Sequence, residues 1–208
     1  MRLSVSILNS KDKINMIKTL NNTKISYIHI DVMDGLFVSQ KSLPSDEIIK
    51  LSPFSSKQLD IHLMVEDPIY YIERIKQLSN IDNITIHLEI NKDIKYLLNK
   101  IKEYGFKRGI AIKPNTDINL LVPYLDIIDR ILIMTVEPGL GGQPFLENSP
   151  NRIKEIKKLI KDKNIELEVD GGINNQTINK VKDIDISVVG SYITTSDNPA
   201  QRINDLLV

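Results

Sequence analysis

A regular alternation of short apolar segments with longer charged segments restricts the fold of this chain more than any other feature. The short segments alternate apolar with polar residues, which predicts strands. The longer segments carry apolar residues at helical spacing, as at Ile153, Ile156 and Ile160, and predict helices that cover a sheet. The predicted strands are 3–8, 27–33, 59–65, 83–89, 108–113, 130–136, 165–170 and 187–193. The predicted helices are 11–21, 46–50, 68–78, 93–104, 150–163 and 177–182.

Repeated strand–helix units within 208 residues predict a parallel sheet in a single α/β domain that spans residues 1–208. Eight units also close a (β/α)8 TIM barrel, and this length meets the lower limit of about 200 residues for that fold. The alternative is an open, doubly wound sheet. The barrel is favoured because polar residues follow one face of the strands, and because no Gly-x-Gly-x-x-Gly turn follows the first strand.

The composition excludes several classes of function. Lys and Arg together number 27, as do Asp and Glu, so the formal net charge is zero and no nucleic-acid partner is predicted. The chain has no cysteine, which excludes disulfides, thiolate metal sites and a thiol nucleophile. No signal segment and no apolar run of membrane-spanning length is found, so we expect a soluble, cytoplasmic protein without a membrane partner.

Histidine and aspartate side chains near strand ends form the first candidate site. In the second predicted strand, His29 and Asp31 lie two positions apart and therefore point to the same side. His62 lies on the corresponding face of the third strand, and Asp170 ends the seventh. Because barrel active sites lie at the carboxyl ends of the strands, these side chains predict a site for Zn²⁺, Fe²⁺, Mn²⁺ or Co²⁺. The alternative is a buried hydrogen-bonded network without a metal.

Glycine-rich turns follow the last three predicted strands. Backbone N–H groups in such turns, together with the N-terminus of a following helix, bind phosphate in many barrels of this kind. Any one of the turns is a weak signal, but three at adjacent strand ends predict a small phosphorylated ligand. The residues concerned are Gly139, Leu140, Gly141, Gly142, Gly171, Gly172, Gly190 and Ser191.

Motifs that contain these residues occur in a fixed order along nearly the whole chain. They are SIL at 6–8, HIDVMDG at 29–35, HLMV at 62–65, HLE at 87–89, AIKP at 111–114, MTVEPG at 134–139, EVDGG at 168–172 and VGS at 189–191. Together they resemble the ribulose-phosphate 3-epimerase family. The resemblance implies a barrel of the ribulose-phosphate-binding type that interconverts D-ribulose 5-phosphate and D-xylulose 5-phosphate with a divalent metal, commonly zinc or iron.

The resemblance also implies the roles of the four candidate ligands. The family's metal ligands match His29, Asp31, His62 and Asp170, and its paired acid and base match Asp31 and Asp170. Epimerisation beside a ketone removes a proton from one face of carbon 3 and returns one to the other, which calls for two carboxyl groups on opposite sides. A metal bound to both oxygens of the cis-enediolate would stabilise its negative charge.

Further residues are assigned to the substrate pocket. By resemblance, Ser6 and His62 contact the substrate, together with the three glycine-rich turns. Met33, Met64 and Met134 are expected to line the pocket near the reacting carbon, where a polarizable wall excludes water. Ordinary filling of the barrel is an equal alternative for these methionines.

One segment departs from the family pattern and leaves alternatives open. The family continues after the second strand with Asp-Gly-His-Phe-Val-Pro-Asn-x-Thr, and this divergence puts the sugar in doubt. A D-allulose-6-phosphate 3-epimerase is therefore an alternative, as are a metal-free barrel of the decarboxylase, synthase or isomerase kind and a non-catalytic sugar-phosphate sensor. Members of the family are commonly dimers or larger assemblies, so the resemblance also implies a homo-oligomer. The divergent segment reads Leu36, Phe37, Val38, Ser39, Gln40, Lys41 and Ser42.

Overall fold

Eight parallel strands close into a barrel in the computed structural model, which describes residues 1–207. In chain order the strands are β1 (Arg2–Ser6), β2 (Tyr27–Asp34), β3 (Lys41–Ser42), β4 (Gln58–Met64), β5 (Ile81–His87), β6 (Lys107–Ile112), β7 (Arg130–Met134), β8 (Glu166–Asp170) and β9 (Ile186–Val189). All except β3 pair in parallel, and β1 pairs with both β2 and β9, so the barrel is closed. The predicted (β/α)8 barrel is confirmed.

Helices connect the strands and cover the outside of the barrel. The side chains of Asp12 and Asp93 accept hydrogen bonds from backbone amides three residues later, which fixes where two of these helices begin. None of the helices described within residues 1–207 combines the length and apolar character that crossing a bilayer demands. The helices are α1 (Lys13–Asn21), α2 (Ser45–Leu51), α3 (Pro68–Ile75), α4 (Ile94–Glu103), α5 (Ser149–Leu159), α6 (Ser191–Thr194) and α7 (Pro199–Leu206).

Two segments near the C-terminal end of the barrel differ from their predicted structure. The predicted helix 177–182 is wrong in type, because only Ile178–Lys180 forms a short 3₁₀ turn. The predicted last strand, 187–193, is too long: β9 ends at Val189, and the amides of Ile193 and Thr194 bond to the carbonyl of Gly190. A helix therefore begins directly at the turn that was predicted to bind phosphate.

The divergent segment after β2 contains a strand that the sequence did not predict. β3 runs antiparallel to the end of β2, with Lys41 opposite Asp34 and Ser42 opposite Met33. The carboxylate of Asp34 accepts hydrogen bonds from the amides of Leu36 and Glu66, which ties the turn to the next strand end. Asp34 therefore forms and anchors this turn.

The two faces of the strands differ in polarity, as expected for a barrel whose interior contains functional groups. Outward residues such as Ile30 and Ile61 are completely buried beneath the helices, and burying each contributes about 1.5–3 kcal/mol. Inward residues include charged side chains that are just as deeply buried, among them Asp60, Arg130 and Glu168. Buried charges of this kind require partners.

Arg130, at the start of β7, supplies the positive charge inside the barrel. Its Nη1 lies 3.0 Å from Asp60 Oδ1 and 3.4 Å from Glu168 Oε2. Its Nη2 lies 2.9 Å from Glu166 Oε2 and 3.1 Å from Asp82 Oδ2. Burial opposes the charge of the guanidinium, but the surrounding carboxylates outweigh that effect and raise the pKa of Arg130. We refer to Arg130 and its four acidic partners as the interior charge cluster.

Candidate metal centre and active site

Four predicted ligands meet at the carboxyl end of the barrel. β2 and β4 are neighbours, and their register sets Asp31 beside His62 and His29 beside Asp60. Asp170 ends β8, which is separated from β2 by β9 and β1. One ligand atom from each of His29, Asp31, His62 and Asp170 lies within 4.8 Å of all the others. The structure therefore brings together all four predicted residues from three strands.

The distances between these ligand atoms are those of side chains arranged around a common point. Asp31 Oδ1 lies 3.3 Å from both His29 Nε2 and His62 Nδ1. Asp170 Oδ2 lies 3.9 Å from His29 Nε2 and 3.6 Å from His62 Nδ1. A cation about 2.0–2.2 Å from each ligand holds neighbouring ligand atoms roughly 3–4 Å apart. The spacing thus fits a single divalent cation.

The hydrogen bonding of His29 provides a second test of that fit. Its Nε2 is buried and has no hydrogen-bond partner among residues 1–207, although it faces two carboxylates. A buried polar atom without a partner costs about 1–3 kcal/mol, so such atoms are rare unless a ligand completes them. Two imidazole nitrogens and two carboxylates are the donor set of non-thiolate transition-metal sites. The buried group could hold a metal ion.

Charge coupling within the group is strong. Burial disfavours the ionised forms of His29 and Asp31. At His29 the carboxylates of Asp31 and Asp60 outweigh burial and raise the pKa of the imidazole well above its usual value. Likewise, burial is outweighed at Asp31, where His29 and His62 lower the pKa of the carboxyl. The site therefore concentrates negative carboxylate charge beside imidazole nitrogens, which favours binding of a cation.

Outer partners also orient His62. Its Nε2 lies 2.9 Å from Nε2 of His87, whose Nδ1 lies 3.0 Å from Glu89 Oε2. Burial lowers the pKa of His87 to about 4, so this ring is neutral near pH 7. Because Glu89 accepts from His87 Nδ1, His87 Nε2 must accept from His62 Nε2. In its neutral form His62 therefore has its lone pair on Nδ1, the atom that faces Asp31.

A cavity of about 360 Å³ opens directly above the group. The side chains of Asp31 and Asp170 reach its wall from below, and the hydroxyl of Ser6 donates a 2.6 Å hydrogen bond to Asp31 Oδ2. The remaining predicted pocket residues also line this cavity: Met33, Met64, Met134, Gly139, Leu140, Gly141, Gly142, Gly171, Gly172, Gly190 and Ser191.

Two predicted residues lie behind the wall rather than in it. His29 and His62 are completely buried and do not line the cavity, so both reach it only through Asp31 and Asp170. This suits their predicted role as metal ligands. His62 was also predicted to contact the substrate. Asp31 and Asp170 lie between its ring and the cavity, so the structure does not bring His62 to the cavity wall.

Several residues of the cavity wall were missed by the sequence prediction. Asn9 lines it and donates a 2.8 Å hydrogen bond from Nδ2 to Ser191 Oγ, which joins the ends of the first and last barrel units. Gln143 and Asn174 also line it, each just beyond a predicted glycine-rich turn. An extension of the strand-end rule to the four residues that follow each strand would have found Asn9 and Asn174.

The turn after β8 needs glycine for its geometry. Gly171 and Gly172 have φ values of +119° and +69°, in the left-handed region that L side chains avoid. A Cβ atom on Gly172 would also collide with the backbone of Phe145. The absence of side chains leaves the turn open to the cavity, with its backbone available to an anion.

We expect Gly172→Ala to lose both stability and ligand binding. A positive φ alone costs an alanine about 1 kcal/mol, and the collision with Phe145 adds to that. Gly105→Ala is the matched control, since Gly105 has φ +86° but an added Cβ there meets no atom within 4 Å. Urea unfolding should give a larger loss for Gly172→Ala, and only that variant should bind inorganic phosphate more weakly. If Gly172→Ala and Gly105→Ala lost equal stability and equal phosphate affinity, the proposed role of this turn in binding phosphate would be contradicted.

The divergent segment lies beside the cavity but outside its wall. Within the described part of the chain, the wall includes none of residues 36–42. Gln40, Lys41 and Ser42 instead line an adjoining, more open cavity of about 720 Å³. Phe37 packs on the ring of His87, with 4.6 Å between ring centroids, and Lys113 lies over the ring of Phe37. The divergent segment therefore lies at the rim, outside the wall that Asp31 and Asp170 reach.

Solved structures with similar folds are enzymes of low sequence identity. KGPDC from Streptococcus mutans has a TM-score of 0.69 and 16% identity, covering 99% of this chain and 95% of that one. The 3-hexulose-6-phosphate synthase from Salmonella typhimurium has a TM-score of 0.66 and 16% identity, covering 99% and 96%. At this identity the likeness shows the barrel fold alone.

Sequence comparisons are more specific. The model of the ribulose-phosphate 3 epimerase family matches residues 2–194. The ribulose-phosphate 3-epimerase of Bacillus subtilis (strain 168) is 32% identical over 197 residues, covering 92% of this chain and 90% of the relative. That of Helicobacter pylori (strain J99) is 33% identical over 211 residues, covering 99% and 96%. With the barrel, the His–Asp group and these matches together, the chain belongs to the ribulose-phosphate 3-epimerase family of carbohydrate isomerases.

Proposed function

We propose that this protein interconverts D-ribulose 5-phosphate and D-xylulose 5-phosphate by inverting carbon 3, using Asp31 and Asp170 as a two-carboxyl proton-transfer pair. Family membership supports the reaction. The observation that carries the mechanism is the approach of both carboxyl groups to one cavity, from β2 and from β8. Among the described residues, the acids that line the cavity are Asp31, Glu137 and Asp170, and of these only Asp31 and Asp170 belong to the His–Asp group.

The proton balance requires one carboxyl group in each state. One carboxylate removes the proton from carbon 3, which leaves an enediolate, and the other, protonated, carboxyl group returns a proton to the opposite face of the same carbon. The roles exchange when the reaction runs backwards. The 2.6 Å hydrogen bond from Ser6 to Asp31 Oδ2 holds one carboxylate in a fixed direction for this transfer.

We further propose that His29, Asp31, His62 and Asp170 hold one divalent ion, with Zn²⁺ or Fe²⁺ as the first candidates and Mn²⁺ or Co²⁺ as alternatives. When bound, such an ion supplies Lewis-acid stabilisation of the negative charge that develops on the sugar oxygens. The unpartnered Nε2 of His29 supports this assignment.

The remaining cavity residues bind and shield the sugar. The backbone amides of the turns at Gly171 and Gly190, and that of Ser191 at the start of α6, bind the phosphate, since these three residues line the cavity. Met33, Met64 and Met134 form an apolar wall next to the carboxyl groups and exclude water from the reacting carbon.

A panel of ketose phosphates tests the substrate. With Zn²⁺, Fe²⁺, Mn²⁺ or Co²⁺ supplied in turn, kcat/KM should be highest for D-ribulose 5-phosphate and D-xylulose 5-phosphate. A higher kcat/KM for D-allulose 6-phosphate would assign the enzyme to the six-carbon sugar instead. The same reactions in deuterium oxide should place one solvent deuterium at carbon 3, and ligand binding without that exchange would contradict an enzymatic role.

A further inference from the structure

Asp60 is a buried carboxylate that contacts a predicted metal ligand from the side away from the cavity. Its Oδ2 lies 2.8 Å from His29 Nδ1 and accepts a 3.0 Å hydrogen bond from Ser4 Oγ. Its Oδ1 accepts hydrogen bonds of 3.0 Å from Arg130 Nη1 and 3.2 Å from Asn83 Nδ2. Each oxygen thus has two polar neighbours, which fill the acceptor capacity of a carboxylate.

This saturation decides which nitrogen of His29 carries its proton. A carboxylate that only accepts requires an N–H at His29 Nδ1, so the neutral ring has its lone pair on Nε2. Nε2 is the buried, unpartnered atom that lies 3.3 Å from Asp31. We propose that Asp60 is a positioning residue, fixed by Arg130, that holds the His29 ring and its tautomer so that Nε2 faces the cation. This inference rests on the metal site of the proposed function.

Arg130 makes the arrangement directional. Its guanidinium can only donate, so it requires an oxygen on the Oδ1 side of residue 60. In Asp60→Asn, the amide oxygen would therefore turn towards Arg130 and the NH₂ group towards His29. An NH₂ group there donates to Nδ1 and moves the ring proton to Nε2, where it blocks the lone pair. Asp60→Asn, although nearly isosteric, therefore moves the proton of the neutral His29 ring from Nδ1 to Nε2.

Metal affinity provides the direct test, measured with Co²⁺ and Zn²⁺ by competition with a chelating dye. Asp60→Asn should bind both ions about 10- to 100-fold more weakly than the wild type. Adding Arg130→Met frees the amide to rotate, because Asn83 can also turn its unpartnered Oδ1 towards it. The double variant should therefore regain most of the lost affinity. Glu166→Gln is the matched control, since Glu166 contacts Arg130 but is not among the groups around His29.

Each outcome bears on the inference. A folded Asp60→Asn protein with wild-type metal affinity would overturn the positioning role, and a double variant no stronger than Asp60→Asn would overturn the part assigned to Arg130. Nitrogen-15 NMR of the zinc-loaded wild type needs no variant to fold: His29 should show a protonated Nδ1 and a coordinated Nε2, and coordination through Nδ1 would refute the proposal. If the wild type binds no metal at all, the metal site of the proposed function fails together with this inference. If the wild type binds metal but the results for Asp60→Asn or the NMR spectrum contradict the positioning role, only this inference fails.

Discussion

Asp170→Asn should fold, bind phosphate and lose at least about a thousandfold in kcat for D-ribulose 5-phosphate. An amide of nearly the same shape cannot take up or return a proton at carbon 3, and a positioned acid or base contributes about 10²–10⁴-fold. The amide oxygen still faces His29 and His62, so part of the metal affinity should persist. Coupled assays with metal supplied in excess measure kcat, and metal analysis of the same samples separates a lost proton carrier from a lost ion.

The matched control is Asp197→Asn, which removes the same charge from an exposed position outside the barrel strands. It should retain wild-type kcat and metal content. Turnover of Asp170→Asn within about tenfold of the wild type would contradict the two-carboxyl scheme. Loss of all metal from this variant would require the comparison to be repeated at saturating Zn²⁺, where the expected loss in kcat is unchanged.

Removal of the metal should have the second largest effect. Treatment of the wild-type protein with a strong chelator should lower kcat at least about a hundredfold, equivalent to about 3 kcal/mol of transition-state stabilisation. Addition of Zn²⁺, Fe²⁺, Mn²⁺ or Co²⁺ should restore activity to different extents. Circular dichroism before and after chelation checks that the barrel is intact.

His62→Ala extends the same experiment to a single ligand. The variant removes Nδ1, which lies 3.3 Å from Asp31 Oδ1, and should purify with much less metal than the wild type. His87→Ala is informative beside it, because it removes the outer partner of the ring and keeps the nitrogen that faces the carboxylates. Its metal content should fall less. Chelated protein that keeps full activity would refute the metal requirement, and unchanged metal in His62→Ala would remove His62 from the ligand set.

The sequence predicted most of the barrel because the signals for it are local. Alternation with period two marks a strand wherever one face is buried, and the helices between strands are marked by helical spacing. The error at 177–182 has a physical cause: over six residues the apolar spacing of a short 3₁₀ turn is too similar to that of an α-helix for the two to be told apart. β3 was missed because Lys41–Ser42 is only two residues long, too short to show an alternation, and it pairs with the extended end of β2.

The residues of the candidate site likewise fall into those that the sequence predicted and those that it missed. Residues within a strand-end motif, such as Asp31 and Asp170, were found because the motif fixes their direction. The interior charge cluster was not found, because Arg130 and Asp60 are 70 positions apart and only closure of the barrel brings them together. Asn9 was missed because its contact with Ser191 likewise joins the two ends of the chain.

Arg130 has an evolutionary consequence. Replacing it alone with an apolar residue would leave the buried acids Asp60 and Glu168 without the cation they share, and breaking a buried ion pair destabilises a protein by about 3–5 kcal/mol. Asp82 and Glu166 would be affected less, because Lys107 contacts both of them and Arg2 also contacts Glu166. Relatives that lack an arginine here should therefore show a compensating substitution at position 168, while Asp60, which contacts His29, stays fixed.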